Sequence, residues 1–111
     1  MFTLERQGAV SVVRPHGPID GKSSDELKRV ALQGIGIGRP MLVIDFHDVP
    51  LVDGAGLEAL LDLRDTLEAK GGAIKLAAIN PLCADILRVT GVGAHFEQYP
   101  QRRVAVGSFA E

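Results

Sequence analysis

Two carboxylates, Asp48 and Asp53, share one loop between a dense apolar run, Met41-Leu-Val-Ile, and an amphipathic helical pattern. Paired carboxylates can work as general acid and base, or hold a hard cation such as Mg²⁺ together with waters. Directly after Asp53 come Gly54, Ala55 and Gly56. They leave the first backbone N–H groups of the coming helix almost bare. Such an end attracts anions and lets a partner approach closely. The stretch therefore offers three chemistries: hydrolysis by two acids, a small nucleotide or anion on the helix N-terminus, and docking of another protein. Capping is the commoner use of an aspartate just before a helix, and aspartates are frequent in turns, so the hydrolytic reading ranks last.

The remaining reactive side chains form no recognisable constellation. His16, His47 and His95 are far apart in sequence, without a helix-borne His-x-x-x-His pair, so no metal is expected. Cys83 is the single cysteine, which excludes an internal disulfide and a cysteine-based metal site. With no base pattern beside it, Cys83 reads as a small core residue. Neither a G-x-S-x-G elbow nor a phosphate-binding G-x-x-x-x-G-K-[ST] loop is present. The run Gly34-Ile-Gly-Ile-Gly38 superficially resembles a dinucleotide-binding loop, but a helical pattern precedes it and Arg39-Pro40 and a strand follow. The fingerprint needs the opposite context, so this is a connector. An aspartyl phosphorylation site would need an acidic pair after an early strand, and Val12-Val-Arg-Pro-His-Gly has none. No cofactor is expected.

These residues must be positioned by a chain of 111 residues, enough for one core, of which 46% are hydrophobic and few aromatic. The formal net charge is -2 and the longest basic run is Arg102-Arg103, which argues against nucleic acid as a partner. No stretch has the length and hydropathy of a membrane span, and Met1-Phe-Thr-Leu-Glu-Arg lacks a leader pattern, so a cytoplasmic domain is expected. Phe2 to Arg6 and Ala9 to Val13 read as a hairpin around Gln7-Gly8. Ser23 and Glu26 have capping-box spacing before a helix carrying Leu27, Val30 and Ala31. Met41 to Phe46 is a buried strand, Ala55 to Lys70 a helix stopped by Gly71-Gly72, and Ala73 to Ile79 a further strand. Asn80-Pro81 opens a helix with Leu82, Ile86, Leu87 and Val89 that ends at Gly91. Phe96 to Tyr99 is a short strand. After about residue 100 the tail is either a short helix or disordered, with Gly107 interrupting any helix there. The order β-β-α-β-α-β-α-β implies an α/β fold with a mixed, mostly parallel sheet in one domain, residues 1–111.

The helix after the acidic loop carries two apolar stripes. Leu60, Leu63 and Leu67 suit the sheet. Leu57, Leu61 and Arg64 form a rotated stripe, covered either by a neighbouring helix or by a partner protein.

Asp45-Phe-His-Asp-Val-Pro-Leu-Val-Asp-Gly-Ala-Gly-Leu57 resembles the signature of STAS domains, the fold of anti-sigma factor antagonists, roughly D-L-S-x-V-x-F-x-D-S-[ST]-G-L. Asp45, Val49, Asp53, Gly56 and Leu57 match, and Leu51 stands for the aromatic. Gly17-Pro-Ile-Asp20 is similar to the family's G-E-[IL]-D, and Pro81 to Leu87 followed by Thr90-Gly91-Val92 to its late helix. Phe96 to Tyr99 is similar to its closing strand, so the resemblance covers nearly the whole chain in order.

The resemblance implies a non-enzymatic protein-interaction module. In the bacterial partner switch, the unphosphorylated antagonist binds an anti-sigma factor that is also a serine kinase. Phosphorylation of a loop serine breaks the complex. Here that serine falls on Gly54 and the next hydroxyl position on Ala55, so neither carries phosphate. The expected partner surface is Asp20, Asp53, Gly54, Ala55, Gly56, Leu57, Leu61 and Arg64. Three outcomes follow: a constitutive antagonist, regulation elsewhere such as at Ser23 or Ser24, or a STAS branch serving a transporter ATPase or sensor assembly. Self-association stays open, and Gly54 could alternatively serve a tight loop.

Overall fold

Alternation and turn chemistry set the first element. In the computed structural model, which describes residues 1–35 and 38–110, β1 (Phe2–Gln7) and β2 (Val10–Pro15) pair antiparallel, with Gln7 opposite Val10. Gly8 at the turn has φ +64°, the left-handed value that two-residue hairpin loops require. α1 (Ser24–Gly34) crosses to β3 (Met41–Asp45), α2 (Gly54–Ala69) to β4 (Ala73–Ala77), and α3 (Pro81–Thr90) with one 3₁₀ turn (Val92–His95) to β5 (Glu97–Tyr99). Of the expected connector at 34–38, residues 36 and 37 lie outside the described residues. The sheet order is β1-β2-β3-β4-β5, parallel from β2 onward. This is the mixed, mostly parallel α/β architecture expected from the element order.

β3 is apolar from Met41 to Ile44 because both of its faces are covered. Leu42 and Ile44 face a large core shared by Leu27 and Ala31 of α1, Leu60, Leu63 and Leu67 of α2, and Cys83 and Leu87 of α3. Leu60, Leu63 and Leu67 are each fully buried, stabilising the fold by about 1.5–3 kcal/mol apiece. Val43 faces the other way, into a smaller cluster with Val10, Val12, Ala77 and Ala105. That second face is covered by α4 (Arg102–Ser108), which resolves the alternative for the tail as a helix. Gly107 lies within this helix rather than breaking it. Tertiary anchors outweigh the local propensity: Ala105 is buried, Lys75 Nζ donates to Ser108 Oγ at 2.7 Å, and the same ammonium lies 4.1 Å from the Phe109 ring centroid.

One local expectation needs correction. Ser23 and Glu26 make no capping box, since α1 has no side-chain cap hydrogen bond. Ser23 has helical backbone angles, φ -109° and ψ -12°, whereas a capping residue needs an extended backbone. Its Oγ instead donates to Pro18 O at 2.8 Å and accepts from Asp20 N at 3.0 Å. In α3 the core residues are Cys83 and Leu87, while Leu82 and Val89 face outward at 54% and 74% exposure.

Candidate partner-docking site

The start of α2 is built by backbone zippering to the loop before α1. Ile19 N donates to Leu51 O at 3.0 Å, and Asp53 N donates to Ile19 O at 3.1 Å. Ile19 and Val52 thereby form an isolated parallel bridge. Gly56 permits this approach: a Cβ there would stand 2.1 Å from the Ile19 carbonyl oxygen. Asp53, in extended conformation, caps the helix by accepting from Gly56 N at 2.9 Å. The Asp20 turn is set beside it, with Gly21 placed so that an added Cβ would lie 3.8 Å from Ala55 Cβ. The Asp20 carboxylate holds its own turn, accepting from Lys22 N at 2.9 Å and Ser23 N at 3.1 Å. The structure thus brings together Asp20, Asp53, Gly54, Ala55 and Gly56, although sequence separates Asp20 from the rest.

Gly54 is exposed, lacks a positive φ, and has open space where a Cβ would go. A tight-loop requirement for glycine at this position is therefore ruled out by geometry. Gly56 carries that requirement instead. The Asp53 carboxylate already occupies the helix end, so an anion seated on the same amides would face a like charge.

The rotated stripe of α2 is covered from within the chain. Leu57 is 8% exposed and belongs to the core, and Leu61 is half-buried against it. Arg64 Nε donates to His95 O at 3.0 Å and pairs with Glu68 at 3.2 Å. The 3₁₀ turn after α3 takes the place the sequence left for a partner, so this stripe is no exposed strip. Among the exposed apolar side chains, Leu51 at 43% lies in the loop before α2 and Leu82 at 54% at the start of α3. Asn80 sets α3 beside the loop, capping Cys83 N at 2.8 Å while its Nδ2 donates to Val49 O at 3.0 Å. Leu82 is not among the site residues read from the sequence; as the second residue of α3 it lies off the Cys83/Leu87 stripe.

Asp48 forms no pair with Asp53. Its Oδ2 accepts from Arg14 Nε at 3.0 Å and lies 2.9 Å from His16 Nδ1, and its Oδ1 lies 3.0 Å from His47 Nδ1. Hydrogen bonds from His47 and Arg14 hold the Asp48 carboxyl at about 2, below the usual carboxylate range, and Asp48 in turn raises the Arg14 guanidinium. His16 and His47 meet because β2 and β3 are parallel neighbours whose C-terminal ends lie side by side, whereas His95 lies apart in the 3₁₀ turn. Among the described residues, no group of three His, Cys, Asp or Glu could hold a metal ion. Cys83 is buried, which pushes its thiol upward and makes it a poor nucleophile.

The STAS domain family matches residues 1–105. The chain belongs to the STAS domain family. Among solved structures, an anti-sigma-factor antagonist (STAS) domain protein from Planctomyces limnophilus superposes with a TM-score of 0.87 at 17% identity, over 99% of this chain and 98% of that one. An anti-sigma factor antagonist from Mycobacterium paratuberculosis gives 0.87 at 25% identity, over 100% and 94%. The murine Slc26a9 anion transporter gives 0.79 at 23% identity, over 92% of this chain and 18% of the transporter. A comparison with curated proteins finds no match. Among the described residues, no helix is long and apolar enough to cross a membrane.

Proposed function

We propose that this STAS domain is a non-enzymatic, cytoplasmic docking module that binds a protein partner of the anti-sigma factor and serine-kinase type without the usual phosphorylation control. The observation that carries the reading is the start of α2: a capped, sterically open helix end at Gly54, flanked by the Asp20 turn and preceded by exposed Leu51. A flat, small-residue helix end with an apolar flank suits close approach of another protein's backbone. Asp20, Asp53, Gly54 and Ala55 form its centre. In relatives that switch, a phosphate adds about -1.5 to -2 charge on such a surface. Gly54 and Ala55 have no hydroxyl to accept one, so binding here is constitutive.

The test is affinity capture from native cell extract with wild type and Leu51→Asp as baits. A kinase-like anti-sigma factor retained by wild type and lost by Leu51→Asp is expected. Its absence, with no difference between the baits, would refute the reading. Gly54→Ser, for which the structure has room, is expected to gain a phosphate from the captured kinase while wild type gains none at this loop. Phosphate on wild-type Ser23 or Ser24 would move the switch to α1, where it would displace the Ser23 hydroxyl from Pro18 O.

Likeness to the Slc26a9 domain favours a second reading, a STAS component of a transporter or sensor assembly. Recovery of transporter subunits in the same capture would select it.

A further inference from the structure

The two edges of the sheet are guarded unequally. β5 is three residues long, carries exposed Glu97 and is followed directly by Pro100. Short length, charge and proline keep an edge strand from pairing with another chain. β1 is six residues long, has no proline or lysine, and pairs with β2 in unbroken register without a bulge. Its two charged side chains are engaged within the chain. Glu5 pairs with Arg102 at 3.2 Å, and Arg6 Nη1 donates to Gly34 O at 3.4 Å.

The hairpin fixes which backbone groups of β1 are left over. His16 N donates to Met1 O at 2.8 Å, and Gln7 stands opposite Val10 across the two-residue turn. Hydrogen-bonded and non-hydrogen-bonded pairs alternate along an antiparallel ladder, so Thr3, Glu5 and Gln7 turn their N–H and C=O groups to β2. Phe2, Leu4 and Arg6 turn theirs to the free edge, where no other strand pairs with them among the described residues. The middle of that edge is apolar. Leu4 is 39% exposed, and the end of α1 covers one side of it, since a Cβ on Gly34 would stand 2.7 Å from Leu4 Cδ1.

This strand is complementary to itself. Antiparallel pairing centred on Leu4 sets Leu4 opposite Leu4, Phe2 opposite Arg6 and Thr3 opposite Glu5, so no like charges stand directly opposite. Each outward-facing pair exchanges two hydrogen bonds, about six in all. A register slip one way sets Glu5 against Glu5, and a slip the other way leaves Arg6 beyond the end of its partner strand.

We propose that β1 pairs antiparallel with β1 of a second copy of this chain, joining the two sheets across a two-fold axis at Leu4. A single strand pair is smaller than a standard interface, so the dimer is of the weak, concentration-dependent class. It leaves the start of α2 free and does not depend on the docking reading.

The test is sedimentation of the full chain from about 10 μM to about 1 mM, the span of weak association, with amide hydrogen exchange at both ends of the range. A mass rising towards the dimer is expected, with protection gained at Phe2, Leu4 and Arg6 and unchanged at Thr3 and Glu5. Leu4→Lys places two ammonium groups opposite each other on the axis and is expected to weaken the dimer at least about tenfold. Val89→Lys, a like change at an exposed position of α3, is expected to leave it unchanged. Leu4→Cys gives a readout that does not rest on the lysine variant folding. Cα atoms of a hydrogen-bonded pair stand about 5.5 Å apart, within disulfide reach, so oxidised glutathione is expected to cross-link Leu4→Cys but not Arg6→Cys. A mass that stays monomeric at about 1 mM, an undiminished dimer in Leu4→Lys, cross-linking no better in Leu4→Cys than in Arg6→Cys, or protection gained at β5 or Gly54 to Gly56 instead would overturn the proposal. A monomer whose outward β1 amides are slow on their own, or slow only with a different protein bound, would give the edge another occupant and also overturn it.

Discussion

Two glycines in one helical turn are expected to respond to alanine in opposite directions. At Gly56 the new methyl would stand 2.1 Å from Ile19 O and 2.8 Å from both Ile19 C and Val52 Cγ2. Two of those three atoms are backbone, so the strand-like segment at Ile19 must move away. Overpacking of this kind costs about 1–3 kcal/mol. Moving Ile19 also weakens its hydrogen bonds to Leu51 O and from Asp53 N, at about 0.5–1.5 kcal/mol each. Against this, replacing a helical glycine by alanine gains up to about 1 kcal/mol. The net for Gly56→Ala is a loss of about 1–5 kcal/mol, or roughly 4–20 °C in melting temperature if each kcal/mol shifts it by about 4 °C. At Gly54 the methyl meets nothing within 4 Å and φ is not positive, so only the propensity gain remains, up to about 1 kcal/mol at this first helical position. Urea unfolding of both variants beside wild type measures the pair. Gly56→Ala as stable as wild type, or Gly54→Ala destabilised by more than about 1 kcal/mol, would refute the argument that close backbone approach, and not the helix end itself, demands glycine here.

Asp48 gives a pH prediction. Its carboxyl is held at about 2 in the folded protein, below its ordinary 3.8, so the stability it contributes is fully present above the ordinary value and is lost as pH falls through about 2. Asp48→Asn is therefore expected to be less stable than wild type at neutral pH, and the difference should close between about pH 4 and 2 in acid-unfolding curves. A gap that stays constant across that window would contradict the assignment. Asn80→Ala removes both the α3 cap and the bond to Val49 O and is expected to cost about 1–2 kcal/mol in urea unfolding. It should also loosen the loop that presents Leu51, which amide exchange at Val49 to Val52 would show.

Periodicity and punctuation carried the element order without help from tertiary structure. Gly71-Gly72 stops α2 because Gly71 takes the left-handed φ of +76° and the amides of Gly71 and Gly72 turn back to Glu68 O and Leu67 O. Asn80-Pro81 starts α3 because the cap and the missing N–H are local properties. Asp53 as a cap, Cys83 as a core residue and the missing hydroxyls at Gly54 and Ala55 are equally local, and all were legible in the residues themselves. Ser23 shows the limit: its spacing fits a capping box, but Pro18 O and Asp20 compete for its hydroxyl and win.

What tertiary structure alone decided is which side chains meet. Helical spacing says that Leu57, Leu61 and Arg64 share a face. Only the fold supplies the 3₁₀ turn that covers that face, through the His95 carbonyl bonded to Arg64. Alternation says that Arg14 and His16 point the same way along β2. Only the parallel register between β2 and β3 sets them against His47 and Asp48. The short α4, whose glycine-bearing sequence forms a weak helix in isolation, exists because Lys75 and the sheet's second apolar face hold it, and with it come Arg102 and Arg103 over the strand ends. Local free energies depend on neighbours a few residues away and can be read in order along the chain. Contacts between distant segments depend on register and crossover, which no single stretch of sequence encodes.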